Sequence, residues 1–186
     1  MEMDYRECDR LWQRVSPELN PYPEVRAARQ GAGDARLSLP GATKDPCCMG
    51  DAARNELDVL RGFLREAISD AQIYRCLAAC APGQETRRLV RHLSAGATER
   101  TRTLQSAYYL IAGQTYCVTV VLPPQPKLPW CDRLRARYHE EACGGSNYRR
   151  AAEETPDVCL KKLFRDLSAQ KYHNAELLRK LLARML

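Results

Sequence analysis

Two stretches of the chain carry polar side chains at spacings that can meet inside a helical core. One is LSAGATER, Leu93 to Arg100, and the other is LSAQKYHN, Leu167 to Asn174. At 3.6 residues per turn, Val90, Leu93, Ala97, Arg100, Leu104, Tyr108 and Ile111 share one stripe. Leu160, Phe164, Leu167, Lys171, Asn174, Leu178 and Met185 share another, with Lys171 near its centre. This phase places Arg100, Lys171 and Asn174 on apolar faces. Glu99, Arg102, His173 and Glu176 point away. A second pair of stretches is AISDAQIYRCLA, with Ala67 seven before Tyr74, and EACGGSNYRRAA, with Glu141 seven before Tyr148. Carboxylates, cations and phenols on facing stripes can form internal ion pairs or, with enough carboxylates and imidazoles, hold metal ions. A charge left alone in a core costs several kcal/mol, so Lys171 is expected to face Glu141, and Arg100 to face Asp70, with Tyr74 and Tyr148 as hydrogen-bonding neighbours. A buried lysine can also be tuned into a nucleophile or base, but no second catalytic group accompanies Lys171 in sequence.

Four helical segments must position these residues. The pattern predicts helices over about Ala53–Cys80, Gln84–Ala112 and Cys131–Glu154. A fourth opens at Thr155-Pro156-Asp157, with Pro at the first helical position, and runs to about Met185. Pro82-Gly83 and Gly113 supply the stops. The very short first and third connections make each pair an antiparallel hairpin. Between the hairpins lies GQTYCVTVVLPPQPKLPW, β-branched and proline-rich. At about 3.3 Å per extended residue it can run the length of a bundle, which makes the second and third helices parallel. Residues 1–51 read as an N-terminal extended arm. It has a short helix over Asp4–Val15 and apolar residues Leu11, Trp12, Val15, Tyr22 and Val25 that need a surface to cover. Residues 52–186 read as the bundle. The class is all-α.

The two hairpins are copies of one another: Leu-Ser-Ala marks the same phase in both second helices, and Tyr74 and Tyr148 mark it in both first helices. This arrangement resembles the ferritin-like superfamily, especially its rubrerythrin-like members, and the PCCMG stretch leading into the first helix looks like uncharacterised bacterial members. The resemblance covers roughly residues 52–186. It implies a ferritin-like four-helix bundle. In that family each first helix carries a Glu seven residues before a Tyr, each second helix carries Glu-x-x-His, and together they hold two iron or manganese ions. Carried across, the six ligand positions are Ala67, Ala97, Arg100, Glu141, Lys171 and Asn174. Only Glu141 keeps a ligand. Alanine offers no lone pair, and Arg and Lys put positive charge where a cation would sit. The resemblance therefore implies a degenerate metal site with no metal expected. A shifted register would instead assemble Glu99, Glu141 and His173 as a sparse site for iron, manganese or zinc, at the cost of drawing on two solvent-facing positions.

The chain has nine cysteines, an odd number, and no apolar leader in MEMDYRECDR. Reduced, mostly buried thiols in a cytoplasmic protein are the expectation. Cys47 and Cys48 are adjacent, and Cys76 and Cys80 lie four apart on the outer face of the first helix. These are the candidates for a thiol-based metal or redox site. The formal net charge is +6, with arginines dispersed through every helix and no aromatic-studded basic patch. No nucleic-acid partner and no membrane partner are expected. Bundles of this type carry homodimerisation as a prior, and the protein partner is not legible. The sequence thus leads to a non-catalytic structural or interaction protein on a ferritin-like scaffold. Its alternatives are a metal-binding oxidoreductase of rubrerythrin type and a thiol-based metal or redox protein.

Overall fold

A computed structural model describes residues 48–122 and 128–186. Within them a short 3-10 helix, Asp51–Glu56, leads into four α-helices: α1 (Leu57–Ala79), α2 (Gln84–Ala112), α3 (Trp130–Glu154) and α4 (Val158–Ala183). The expected N-terminal arm, including the helix over Asp4–Val15, lies outside the described residues. No helix among the described residues is long and apolar enough to cross a membrane.

Local signals explain most boundaries. Gly113 takes the left-handed conformation at φ 70° and donates its amide to Tyr109 O, closing α2. Gly83, at φ 77°, turns the chain between α1 and α2. The start of α4 departs from expectation. Its N-cap is Asp157, whose Oδ1 accepts from Cys159 N at 2.9 Å and Leu160 N at 2.8 Å. Pro156 lies before the cap, and Thr155 closes α3. A carboxylate can satisfy two free amides at a helix start, and a proline biases the residue before it towards extended backbone. The first helix also opens as a 3-10 turn rather than as α-helix from Ala53.

The apolar core is two clusters that fix the chain directions. One gathers Leu60, Phe63 and Leu64 from the start of α1 with Leu104, Tyr108 and Ile111 from the end of α2, Tyr148 and Ala152 from the end of α3, and Leu160 and Phe164 from the start of α4. The other joins Tyr74 and Leu77, Val90 and Leu93, Leu134, and Leu178 and Leu181. The end of α2 therefore shares one end of the bundle with the end of α3, so these two helices run the same way. Helices α1 and α3 run oppositely, as the stacking of Phe63 on Tyr148 at 4.0 Å requires. The end of α2 and the start of α3 therefore lie at opposite ends of the bundle.

The duplicated Leu-Ser-Ala has a structural reason. Ser94 Oγ donates to Ala71 O at 3.0 Å, and Ser168 Oγ donates to Gly145 O at 2.7 Å, each bond spanning 23 positions of the chain. The same serine thus stitches the two helices of each hairpin together at the same place.

Among the described residues, which exclude Cys47, the cysteines are not mainly buried thiols. Cys48 and Cys159 form a disulfide with Cα atoms 5.4 Å apart and 111 positions of chain between them. Cys76, Cys80, Cys117 and Cys143 are exposed free thiols, and Cys131 is half-buried. The outward direction of Cys76 and Cys80 agrees with the helical wheel. The pairing of Cys48, ahead of the first hairpin, with Cys159 of the second could not be read from spacing.

Candidate functional site

Between the two apolar clusters lies a polar layer. Its hub is Asp70 on α1, which is 3% exposed. Asp70 Oδ2 accepts from Lys171 Nζ at 2.6 Å and from Arg100 Nη2 at 3.2 Å, while Oδ1 accepts from Arg137 Nη2. Lys171 Nζ also lies 2.8 Å from Glu66 Oε1 and 3.7 Å from Glu141 Oε2. Glu141, wholly buried, accepts Tyr74 OH at 2.7 Å and Asn174 Nδ2 at 3.2 Å, and its Oε1 stands 3.5 Å from Arg137 Nη2. The Arg137 guanidinium sits 4.8 Å above the Tyr74 ring centroid, a cation–π contact. Three cations, Arg100, Arg137 and Lys171, thus face three carboxylates, Glu66, Asp70 and Glu141. The layer is formally neutral, which is what makes its burial tolerable.

Electrostatics within the layer follow from this geometry. Burial would raise the Asp70 carboxyl, but Arg137, Lys171 and Arg100 together outweigh it and hold it below its usual value. Burial, reinforced by Glu141, pushes the Tyr74 phenol well above its ordinary range. Burial does the same to Tyr148. Both phenols are therefore neutral, and Tyr74 donates to Glu141. Arg137 is held more firmly protonated than usual: burial opposes its charge, and Asp70, Tyr74 and Glu141 overcome it.

The pairing expected for Arg100 with Asp70 is present. That expected for Lys171 is different: Asp70 and Glu66 are its close partners, and Glu141 is more distant. Of the six positions that the resemblance aligns with metal ligands, Ala67, Ala97, Arg100, Glu141 and Lys171 are buried, and Asn174 is half-buried. The polar ones among them join one network. The shifted-register set does not assemble. Glu99 and His173 are exposed, and Glu99 pairs with Arg102 on the outside of α2, whereas Glu141 is wholly buried.

Sequence reading missed Glu66 and Arg137. Arg137 lies four residues before Glu141 on the same stripe as Leu134, a phase that marks it as inward-facing. Gly144 was a second unread signal. A Cβ there would lie 2.8 Å from Glu66 Oε1, 2.9 Å from Lys171 Cε and 3.0 Å from Lys171 Nζ. The small residue on α3 makes room for the Lys171–Glu66 pair. Gly144→Ala is therefore expected to destabilise the fold by about 1–2 kcal/mol, overpacking outweighing the helix-propensity gain of about 1 kcal/mol. Gly62, also helical but with nothing within 4 Å of a built Cβ, serves as the control. Gly62→Ala should stabilise. Urea melts of the two variants check this, and stabilisation of both would show that Lys171 has space to spare.

One buried atom breaks the symmetry of the layer. Tyr74 OH donates to Glu141, but its counterpart in the second hairpin, Tyr148 OH, has no partner among the described residues. By the internal repeat, Tyr148 should bond the residue corresponding to Glu141, which is Ala67. The orphaned phenol stands where a carboxylate partner would complete the second half of the repeat.

This chain matches no family model, no curated protein and no solved structure.

Proposed function

We propose that this chain is a ferritin-like bundle whose metal centre has been exchanged for a fixed network of ion pairs, and that it serves as a non-catalytic structural or interaction protein. The observation that carries this reading is the mid-bundle layer itself. Lys171 and Arg100 occupy positions where the resemblance calls for metal ligands. Both oxygens of Asp70 and both of Glu141 already accept protein hydrogen bonds. The unpartnered Tyr148 OH, whose counterpart partner by the internal repeat is Ala67, supports an origin in a more symmetric, carboxylate-rich layer. A di-metal site needs several carboxylates free to coordinate, and here the charge they would neutralise is supplied by Arg100, Arg137 and Lys171. A rubrerythrin-type oxidoreductase would need Glu99 and His173 in the core, and both are exposed.

The test is thermal. Fe²⁺ under anaerobic conditions and Mn²⁺ should each leave the melting temperature of the wild-type chain unchanged. A ligand that binds only the native state raises it by linkage, so a saturable rise traced to the bundle interior would overturn the reading.

A further inference from the structure

The Cys48–Cys159 pair sits outside the polar layer, in a setting more specialised than a simple staple. Cys48 opens the bend 48–50 ahead of the 3-10 helix, and Cys159 lies in the first turn of α4. The Sγ atoms of both and a carboxylate oxygen of Asp157 all lie within 4.8 Å of one another. Asp157 holds both backbones. Its Oδ1 accepts from Cys159 N at 2.9 Å, and its Oδ2 accepts from Met49 N at 2.6 Å. Met49 is in the left-handed region at φ 54°, unusual for a residue with a long side chain, and packs on the first apolar cluster. The two cysteines are therefore kept face to face by hydrogen bonds and packing that do not depend on the sulfur–sulfur bond. Both are half-buried, so small molecules in solution can reach them. Four exposed free thiols elsewhere suit a reducing environment, where the disulfides that do form are generally of the exchangeable kind.

From this we infer that Cys48 and Cys159 form an exchangeable dithiol–disulfide site, kept in register by Asp157, that reacts with low-molecular-weight thiols and disulfides. In the reducing direction a thiolate RS⁻ attacks one sulfur of the pair, the protein S–S bond breaks, and the other cysteine leaves as thiolate. A second RS⁻ attacks the mixed disulfide and releases RSSR. Two RSH are oxidised, the protein disulfide is reduced to two thiols, and the two protons of the reagent end on the protein sulfurs at neutral pH. The reverse sequence consumes RSSR. The consequence is local: the bond fastens the segment before the first hairpin to the start of the second, and its reduction leaves that junction on the Asp157 hydrogen bonds. This site is independent of the mid-bundle layer.

The test uses the full-length native protein in glutathione buffers of graded ratio, trapped with an alkylating reagent and read by peptide mass spectrometry. The Cys48–Cys159 link should open in excess reduced glutathione without denaturant and re-form when oxidised glutathione is restored. Asp157→Asn keeps a side-chain oxygen for capping α4 but loses the acceptor for Met49 N. It should lower the equilibrium ratio of disulfide to dithiol, because a dithiol without that hydrogen bond is less often in register to close, while the helical circular dichroism is retained. A pair that resists reduction until the protein is denatured is a permanent staple, and the inference fails. It fails equally if Asp157→Asn leaves the ratio unchanged. If the reduced protein instead takes up one Zn²⁺ that blocks re-oxidation in these buffers, the site belongs to a metal rather than to thiol exchange.

Discussion

Asp70→Asn is expected to cost the fold about 3–5 kcal/mol, the range seen when one partner of a buried ionic group is removed. Against a typical total of about 5–15 kcal/mol this approaches loss of folding. The reason is the number of cations on one carboxylate. Arg100, Arg137 and Lys171 all converge on Asp70, each nine-tenths or more buried. Neutralising that carboxylate leaves three positive charges with Glu66 and Glu141 alone. Lys171→Met is expected to be milder, because Asp70 keeps two arginines and Glu66, one-third exposed, can turn to water. The double variant should lose less than the sum of the singles, since the second change removes one of the charges stranded by the first. The pH dependence has the same sign. The folded-state value of Asp70 is lowered, so its contribution is fully present above the unfolded value of about 3.9 and is lost as pH falls through the folded value. The wild type should therefore lose stability with acid in that window, and the part due to residue 70 should be absent from Asp70→Asn. Denaturant melts at neutral and acid pH measure both effects. A loss under about 1 kcal/mol at neutral pH would mean that the layer is hydrated and its ion pairs are weak.

Installing the metal ligands that the ferritin-like resemblance implies is expected to create a metal response larger than that of the wild type. The notional changes are Ala67→Glu, Ala97→Glu, Lys171→Glu, Arg100→His and Asn174→His. The geometry of the layer adds two more. Arg137 is a third cation in the same space, and the internal repeat pairs it with Phe63, so Arg137→Phe belongs in the set. Asp70 corresponds to Gly144 and would be left without its cations, so Asp70→Ala belongs there too. Ala67→Glu would also give Tyr148 OH the acceptor it lacks. The apo variant should be less stable than the wild type, because like charges would meet in a poorly hydrated core. Fe²⁺ or Mn²⁺ at a thousandfold excess over Kd should return about 4 kcal/mol, roughly a 10 °C rise for a chain of this size. A variant that folds and shows no greater metal stabilisation than the wild type would remove the basis for reading these positions as a former metal site.

The helices and their directions were legible because helical periodicity and Pro/Gly stops are local signals. Gly113 and the Pro82-Gly83 turn act where they stand in sequence. The duplicated serine and tyrosine were also legible, since a repeat imposes the same phase twice. The partner choices inside the layer were not. A stripe shows that Lys171 and Asp70 face inward, but not which of several carboxylates one turn apart an ammonium will reach. Side-chain length and the gap left by Gly144 decide that, and both depend on how the two hairpins pack. Glu66, on the flank of its stripe, becomes a partner only because Lys171 extends towards it. The Cys48–Cys159 bond was hidden for a related reason. It joins distant parts of the chain through a bend that Met49 and Asp157 define, and cysteine spacing carries no record of that.

Anomalous diffraction most directly tests the proposal that ion pairs stand in place of a metal centre. Crystals would be grown from protein produced with iron and manganese present and no chelator, with data collected at both metal edges. The account predicts no anomalous peak in the layer bounded by Asp70, Glu141 and Lys171, with the Lys171 ammonium in contact with Asp70. A peak at bonding distance from the Glu141 carboxylate, about 2.0–2.2 Å, with Lys171 displaced, would contradict it.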